Sequence, residues 1–132
     1  MTNLRVGHGY DVHRLTEGRQ LILGACRGGD IGKLFPDSDD RYAGADSVEL
    51  LRRVTAYLTE RGWQVVNVDA TVVAQAPRLS PCIDRMRENL AAAMGLDVDC
   101  VSVKATTAEH LGFTGSGEGM AAHAVALVEK SG

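Results

Sequence analysis

"GMAAHAVALVEK", residues 119–130, can be read as a helix or as a strand. Its alternation of Ala, Val, His and Leu and its place late in the chain favour a strand. Successive side chains of a strand point to opposite faces. The unbroken run Ala124, Val125, Ala126, Leu127 and Val128 therefore puts apolar groups on both faces. One face can pack on helices. The other needs a cover, and a three-fold arrangement of sheets around an axis supplies one. The expected architecture is α+β: a mixed β-sheet with helices packed on one face, assembling as a three-fold trimer.

The rest of the chain supplies the other elements. "LRVGHGYDVH" (4–13) reads as a first strand and "RQLILG" (19–24) as a short second one. "ADSVELLRRVTAYLTERGW" (45–63) reads as a helix, capped by Asp46 or Ser47 and ended by Gly62. Its apolar stripe is Leu50, Leu51, Val54, Tyr57 and Leu58. "QVVNVDATVVAQ" (64–75) is a β-branched strand, with Val66, Val68, Ala70 and Val72 expected on one face. "SPCIDRMRENLAAAMGL" (80–96) is a second helix, with Ser80 as N-cap, Pro81 at its first position and Gly95 at its end. "CVSVKAT" (100–106) is a further strand.

Composition narrows the function. With 132 residues, 45% of them hydrophobic, the chain is expected to form a single domain, 1–132. A formal net charge of −3 gives no reason to expect nucleic acid or an anionic membrane as a partner. No apolar run approaches a membrane span, and the first residues lack a signal-peptide core. Cys26, Cys82 and Cys100 are odd in number and far apart, and read as reduced thiols of a cytoplasmic protein.

Three stretches carry chemistry. In "GHGYDVHRL" (7–15), Asp11 and His13 share a strand face, and His8 points the other way. The Asp–His pair is either part of a zinc ligand set or a surface pair that binds nothing. "GACRGGDIGKLFPDSDDRYAGAD" (24–46) has no period. Its Asp30, Asp37, Asp39 and Asp40 serve either as turn formers or to hold a metal or substrate. "KATTAEHLGFTGSGEGMAA" (104–122) offers two hydroxyls, a carboxylate and accessible backbone amides directly after a strand. That set suits a diphosphate with its Mg²⁺, and it equally describes a capped turn followed by a glycine loop. Neither a Walker A motif nor a GxGxxG strand–helix pattern is present.

Together, "RVGHGYDVHRL", "GDIGKLFPDSD", "GADSVELLRRV", "NVDATVVAQAPRL" and "VKATTAEHLGFTGSGEG" resemble the signature segments of the 2-C-methyl-D-erythritol 2,4-cyclodiphosphate synthase family, in order along nearly the whole chain. The resemblance implies a metal-dependent phosphorus–oxygen lyase of isoprenoid precursor synthesis. Such an enzyme converts 4-diphosphocytidyl-2-C-methyl-D-erythritol 2-phosphate to the cyclodiphosphate and releases CMP. It also implies a homotrimer with active sites between subunits. By position, Asp11 and His13 match two of three ligands of Zn²⁺ or another divalent transition metal. Glu109 matches a ligand of Mg²⁺ or Mn²⁺, and Thr107 a threonine that steadies the transition state. Asp30, Ile31 and Gly32, with Phe35, Pro36, Asp37, Ser38 and Asp39, match the loop for the methylerythritol and its phosphate. Ala74, Gln75, Ala76, Pro77, Arg78, Leu79 and Ser80 match the cytidine segment, with Arg78 where lysine is common. Ala105, Thr106 and Thr107 match the diphosphate segment, and Phe113 and Ser116 the last binding stretch. Ser116 stands where many members carry arginine, which removes a phosphate-pairing charge.

One departure is large. After "LILG", family members carry a further strand and a first helix, which supplies the third zinc ligand, a histidine. Here "LILGACRGGDIG" (21–32) runs straight through. Either the natural protein has further residues at this point, or the segment is absent and the chain is a catalytically impaired trimeric relative that still binds a cytidine nucleotide. The other histidines do not obviously replace the ligand. His8 faces away, His110 sits beside Glu109 where lysine is usual, and His123 is expected to be packed or interfacial.

Overall fold

A computed structural model describes residues 3–14, 47–76 and 78–130, with the backbone alone at residues 13 and 14. The expected strand at 19–24, the cap at Asp46, the loop segments Asp30–Gly32 and Phe35–Asp39, and Cys26 and Pro77 lie outside the described residues.

Residues 119–130 are a strand, and they sit inside the sheet. Four strands, β1 (Leu4–Arg14), β2 (Trp63–Val73), β3 (Val101–Thr106) and β4 (Gly119–Lys130), pair in the order β1-β4-β2-β3. β4 is antiparallel to β1, from Arg14 opposite Gly119 to Leu4 opposite Glu129. It is also antiparallel to β2, from Val73 opposite Ala121 to Trp63 opposite Lys130. β2 and β3 are parallel, which requires a crossover. The helix between them, α2 (Ile83–Met94), provides it. α1 (Ser47–Glu60) precedes β2, and a single turn, α3 (Gly112–Gly115), precedes β4. The sheet is mixed and the helices cover one face, so the fold class is α+β as expected.

α1 buries Leu51, Val54 and Leu58, spaced three and four apart on one face, with Leu50 and Tyr57 half-buried beside them. Gly62, at φ +80°, takes the left-handed turn that leads into β2. α2 starts differently from expectation. Ser80 is not its cap, because Ser80–Cys82 form a separate 3₁₀ turn opened at Leu79. Pro81 sits in that turn's first positions, where its missing N–H costs nothing. The cap positions Leu79 and Cys82 make no side-chain bond. The other end behaves as expected. Gly95 is left-handed, and Leu96 N–H closes the helix on Ala91 O at 2.9 Å. Arg87 then ties α2 to the entry of β3, donating to Val101 O (2.8 Å) and Val98 O (3.1 Å).

The core lies between the two longer helices and one sheet face. Leu90, Ala91, Ala93 and Met94 of α2 join the α1 stripe against Val68, Ala70, Val101, Val103, Ala124, Ala126 and Val128. The expected face of β2 needs one correction. Val65, not Val66, is buried together with Val68, Ala70 and Val72. The register against β4 shifts between Val65 and Asn67, and the extra residue reverses the alternation. β1 contributes nothing to the buried core among the described residues. On the face away from the helices, Leu4, Val6, Tyr10, Val12 and Val125 are exposed, Val6 to 69%. The β1–β4 part of the second face is therefore largely apolar, as the run 124–128 suggests, while Asn67, Asp69, Ser102 and Lys104 make its β2–β3 part polar. Cys82 and Cys100 are both free thiols.

Leu90 is 1% exposed at the centre of this core. Leu90→Ala is expected to lower unfolding stability by about 2–5 kcal/mol through lost contacts and an unfilled cavity. Denaturant titration measures it, and a loss well below that range would show that α2 packs loosely.

Candidate functional site

Since β4 is antiparallel to both neighbours, β1, β2 and β3 run in one direction and end at one edge of the sheet. Of the residues read as functional, Asp11 and His13, Ala74–Ala76, and Thr106 and Thr107 lie there. One row across the sheet runs from Asp11 through Ala122 and Val72 to Ala105. Three strand spacings separate its ends, about 14 Å.

At one end of the row, Asp11 and His13 sit opposite Ala122 and Met120. Asp11 is half-buried, and its Oδ1 accepts from Val12 N–H at 3.0 Å. A carboxylate and an imidazole two residues apart on a strand are suitable first ligands for zinc, which takes three protein donors in a catalytic site. No group of three or more His, Cys, Asp or Glu suited to a metal occurs among the described residues. The side chain of His13 is not among those described. His8 lies on the opposite face, as expected, with its Nε2 3.2 Å from His123 Nδ1. His123 is exposed rather than packed.

At the other end, "AQAPRLS" leaves β2 beside "TTAEH" leaving β3. Ala74 N–H donates to Thr106 O at 3.0 Å, which extends the parallel pairing past Val73. Thr106 and Thr107 are exposed, with Thr106 Oγ1 turned towards Thr107 O at 3.4 Å. Glu109 and His110 are consecutive non-glycine residues with φ of 55° and 64°. Left-handed backbone at such residues costs on the order of 1–3 kcal/mol each and persists only where surroundings enforce it. Two contacts do so here. Gln75 Oε1 accepts from His110 N–H at 3.1 Å. Gly115 packs so closely on the His110 backbone that a Cβ there would overlap it. The glutamine places the β3 loop against the β2 loop, a role that spacing alone does not reveal. Leu111 and Phe113 are exposed beside this loop, and Ser116 Oγ donates to Phe113 O at 3.2 Å. Arg78 and Ser80 are exposed, and Leu79 is half-exposed.

The chain is a small α+β protein whose strand ends bring Asp11, Thr106 and Thr107 to one edge of a mixed sheet. The chain belongs to the YgbB family, whose profile matches residues 22–129. It is 48% identical to the 2-C-methyl-D-erythritol 2,4-cyclodiphosphate synthase of Thioalkalivibrio sulfidiphilus over 158 residues, covering 98% of this chain and 99% of that protein. An alignment of 158 positions against a chain of 132 residues leaves at least 26 positions of the relative without a counterpart here. With both chains covered almost end to end, the shortfall is internal, as the uninterrupted "LILGACRGGDIG" suggests. Among solved structures, the bifunctional IspDF of Campylobacter jejuni superposes with a TM-score of 0.87 at 32% identity, covering 98% of this chain and 43% of that one. A 2C-methyl-D-erythritol-2,4-cyclodiphosphate synthase in its CDP-bound form superposes at 0.78 and 28% identity, covering 95% of this chain and all of that one.

Gly115→Ala is expected to push the His110 backbone out of place and release the loop that carries Thr107 and Glu109. Loss of stability together with faster amide exchange at Thr107–His110, read by thermal melting and hydrogen exchange, is the expected result. Exchange that is unchanged would show that the loop does not depend on this contact.

Proposed function

We propose that this protein converts 4-diphosphocytidyl-2-C-methyl-D-erythritol 2-phosphate to 2-C-methyl-D-erythritol 2,4-cyclodiphosphate with release of CMP. The observation that carries the reading is the end-to-end similarity, at 48% identity, to a synthase of that name. The position of the candidate residues at one sheet edge supports it.

In the reaction, an oxygen of the 2-phosphate bonds to the β-phosphorus of the diphosphate, and the bond from that phosphorus to CMP breaks. No side-chain nucleophile is required. Both reacting groups are anions, so positioning and charge compensation dominate the barrier. Zn²⁺ held by Asp11 and His13, and Mg²⁺ or Mn²⁺ taking Glu109 as a ligand, would align phosphate oxygens and offset charge on the departing CMP. The chain's own groups do the rest. Ala74–Ser80 receive the cytidine; that a similar synthase is solved in a CDP-bound form supports a cytidine nucleotide as ligand. The hydroxyls of Thr106 and Thr107 and the open amides of the following loop donate to the diphosphate, with Thr107 closest in role to the transition state. Gln75, through His110 N–H, keeps that loop against the cytidine segment. Asp30–Gly32 and Phe35–Asp39 bind the methylerythritol end, with Phe113 and Ser116 contributing at the last stretch.

The row from Asp11 to Ala105 spans about 14 Å within one chain, with β4 and β2 between its ends. A single substrate phosphate group cannot touch both ends of that row. This separation favours active sites shared between copies, and the apolar β1–β4 part of the outer face supplies a surface for a homotrimer. The partner is thus a small nucleotide-diphosphate substrate, in a cytoplasmic enzyme. No described helix is long and apolar enough to cross a membrane.

Asp11→Asn and His13→Ala are each expected to abolish transition-metal occupancy and CMP release, since each removes a donor from a small set. Metal analysis of the purified variants checks this, and full retention in both would exclude the pair as ligands. CDP is expected to bind more tightly than ADP by calorimetry, and equal affinities would contradict a cytidine site at Ala74–Ser80.

A further inference from the structure

We propose that His8 and His123 make the assembly sensitive to pH: a neighbouring copy covers the pair while it holds at most one extra proton, and mild acid, by charging both rings, separates the copies. This rests on the homotrimer proposed above, whose surface is the β1–β4 part of the outer sheet face. Both histidines lie in that part. His8 is in register with Val125, and Tyr10 with His123, so the two histidines are diagonal neighbours across one antiparallel pair. His8 Nε2 and His123 Nδ1 are 3.2 Å apart. Such a contact is a hydrogen bond only while one of the two nitrogens lacks a proton. With both rings charged the bond is lost, and two cations face each other at close range.

Among the described residues, little offsets the second charge. From β2, Thr71 stands opposite His123 and Asp69 opposite Val125. Asp69 is the carboxylate closest in register, and Lys104 of β3 already holds it at 2.6 Å. From β1, Tyr10 lies against His123 with ring centroids 4.7 Å apart, and a phenol is uncharged in mild acid. On β4, Glu129 is four residues beyond Val125, about 13 Å along the strand, and accepts from Gln64 Nε2 at 2.9 Å. The two longer helices pack on the other face. Every copy presents this same outer face, so a neighbour brings the same set of groups again. Water solvates both charges in a separated chain, where the rings are exposed, and an apolar partner surface does not. Separated chains therefore bind more protons than the trimer, and lowering the pH moves the equilibrium towards them. Histidine takes up its proton between about pH 5 and 8, so the change falls in that window. One proton per chain raises the dissociation constant of a trimer by up to about 10³-fold per pH unit.

Sedimentation velocity of the full chain at micromolar concentration, compared at about pH 8 and about pH 5.5, tests this, with circular dichroism to follow the fold. The expected result is a trimer at the higher pH, folded separate chains at the lower, and a trimer again on return. His8→Gln and His123→Gln each remove one charge from the pair and keep a side chain that forms hydrogen bonds. Both variants are expected to stay trimeric at the lower pH. An unsubstituted chain that remains trimeric there, or variants that dissociate or unfold at the same pH as it does, would overturn the pH dependence and leave the homotrimer standing. Separate chains already at the higher pH would overturn the homotrimer and this inference with it.

Discussion

The register of β4 places everything else. This strand is hydrogen-bonded along both edges and antiparallel to both neighbours. That geometry makes β1 and β2 run the same way, and the α2 crossover makes β3 follow β2. Three strand ends therefore meet at one edge, where β1 itself and the described loops after β2 and β3 carry candidate residues. A one-residue slip of β4 against β1 would move the Asp11 face from one side of the sheet to the other. It would also separate His8 from His123. The buried Ala124, Ala126 and Val128 resist such a slip, because the alternative places them in water and Val125 and Leu127 under the helices.

Stability and chemistry are distributed unevenly over this frame. The core joins α1 and α2 to β2, β3 and the helix-facing side of β4, while β1 adds nothing to that core among the described residues and joins the sheet through its ladder with β4 and through side chains such as Arg5 over the Trp63 ring and Tyr10 against His123. The Thr106–Gly115 loop is held in a costly backbone conformation at Glu109 and His110. Gln75 and Gly115 enforce it from two directions. A loop fixed before substrate arrives loses less entropy on binding, which suits a reaction that depends on positioning two anions.

Much of this was legible in the sequence. β1, β2, β3 and β4 were placed to within a residue or two, β2 from its β-branched residues and β4 from the alternation of Ala, Val, His and Leu and its late position, and glycine at 62 and 95 marked the helix ends. The apolar run 124–128 predicted an uncovered second face. What the sequence withheld depends on pairing. The bulge that buries Val65 in place of Val66 exists only in the register with β4. Ser80 looks like a cap, and only the backbone shows that Pro81 starts a 3₁₀ turn around it. The contact of Gln75 with His110 and that of His8 with His123 join residues 35 and 115 apart in sequence, beyond any local pattern.

In the proposed reaction, one catalytic centre takes Asp11 from one copy and Thr107 from another, because the row joining their strands is too long for one substrate phosphate. Mixing inactive Asp11→Asn chains with inactive Thr107→Ala chains, after joint refolding, tests it most directly. Shared sites predict that mixed assemblies regain CMP release, since some contain an intact Asp11 beside an intact Thr107. Mixed assemblies that form and remain as inactive as either parent would contradict the account.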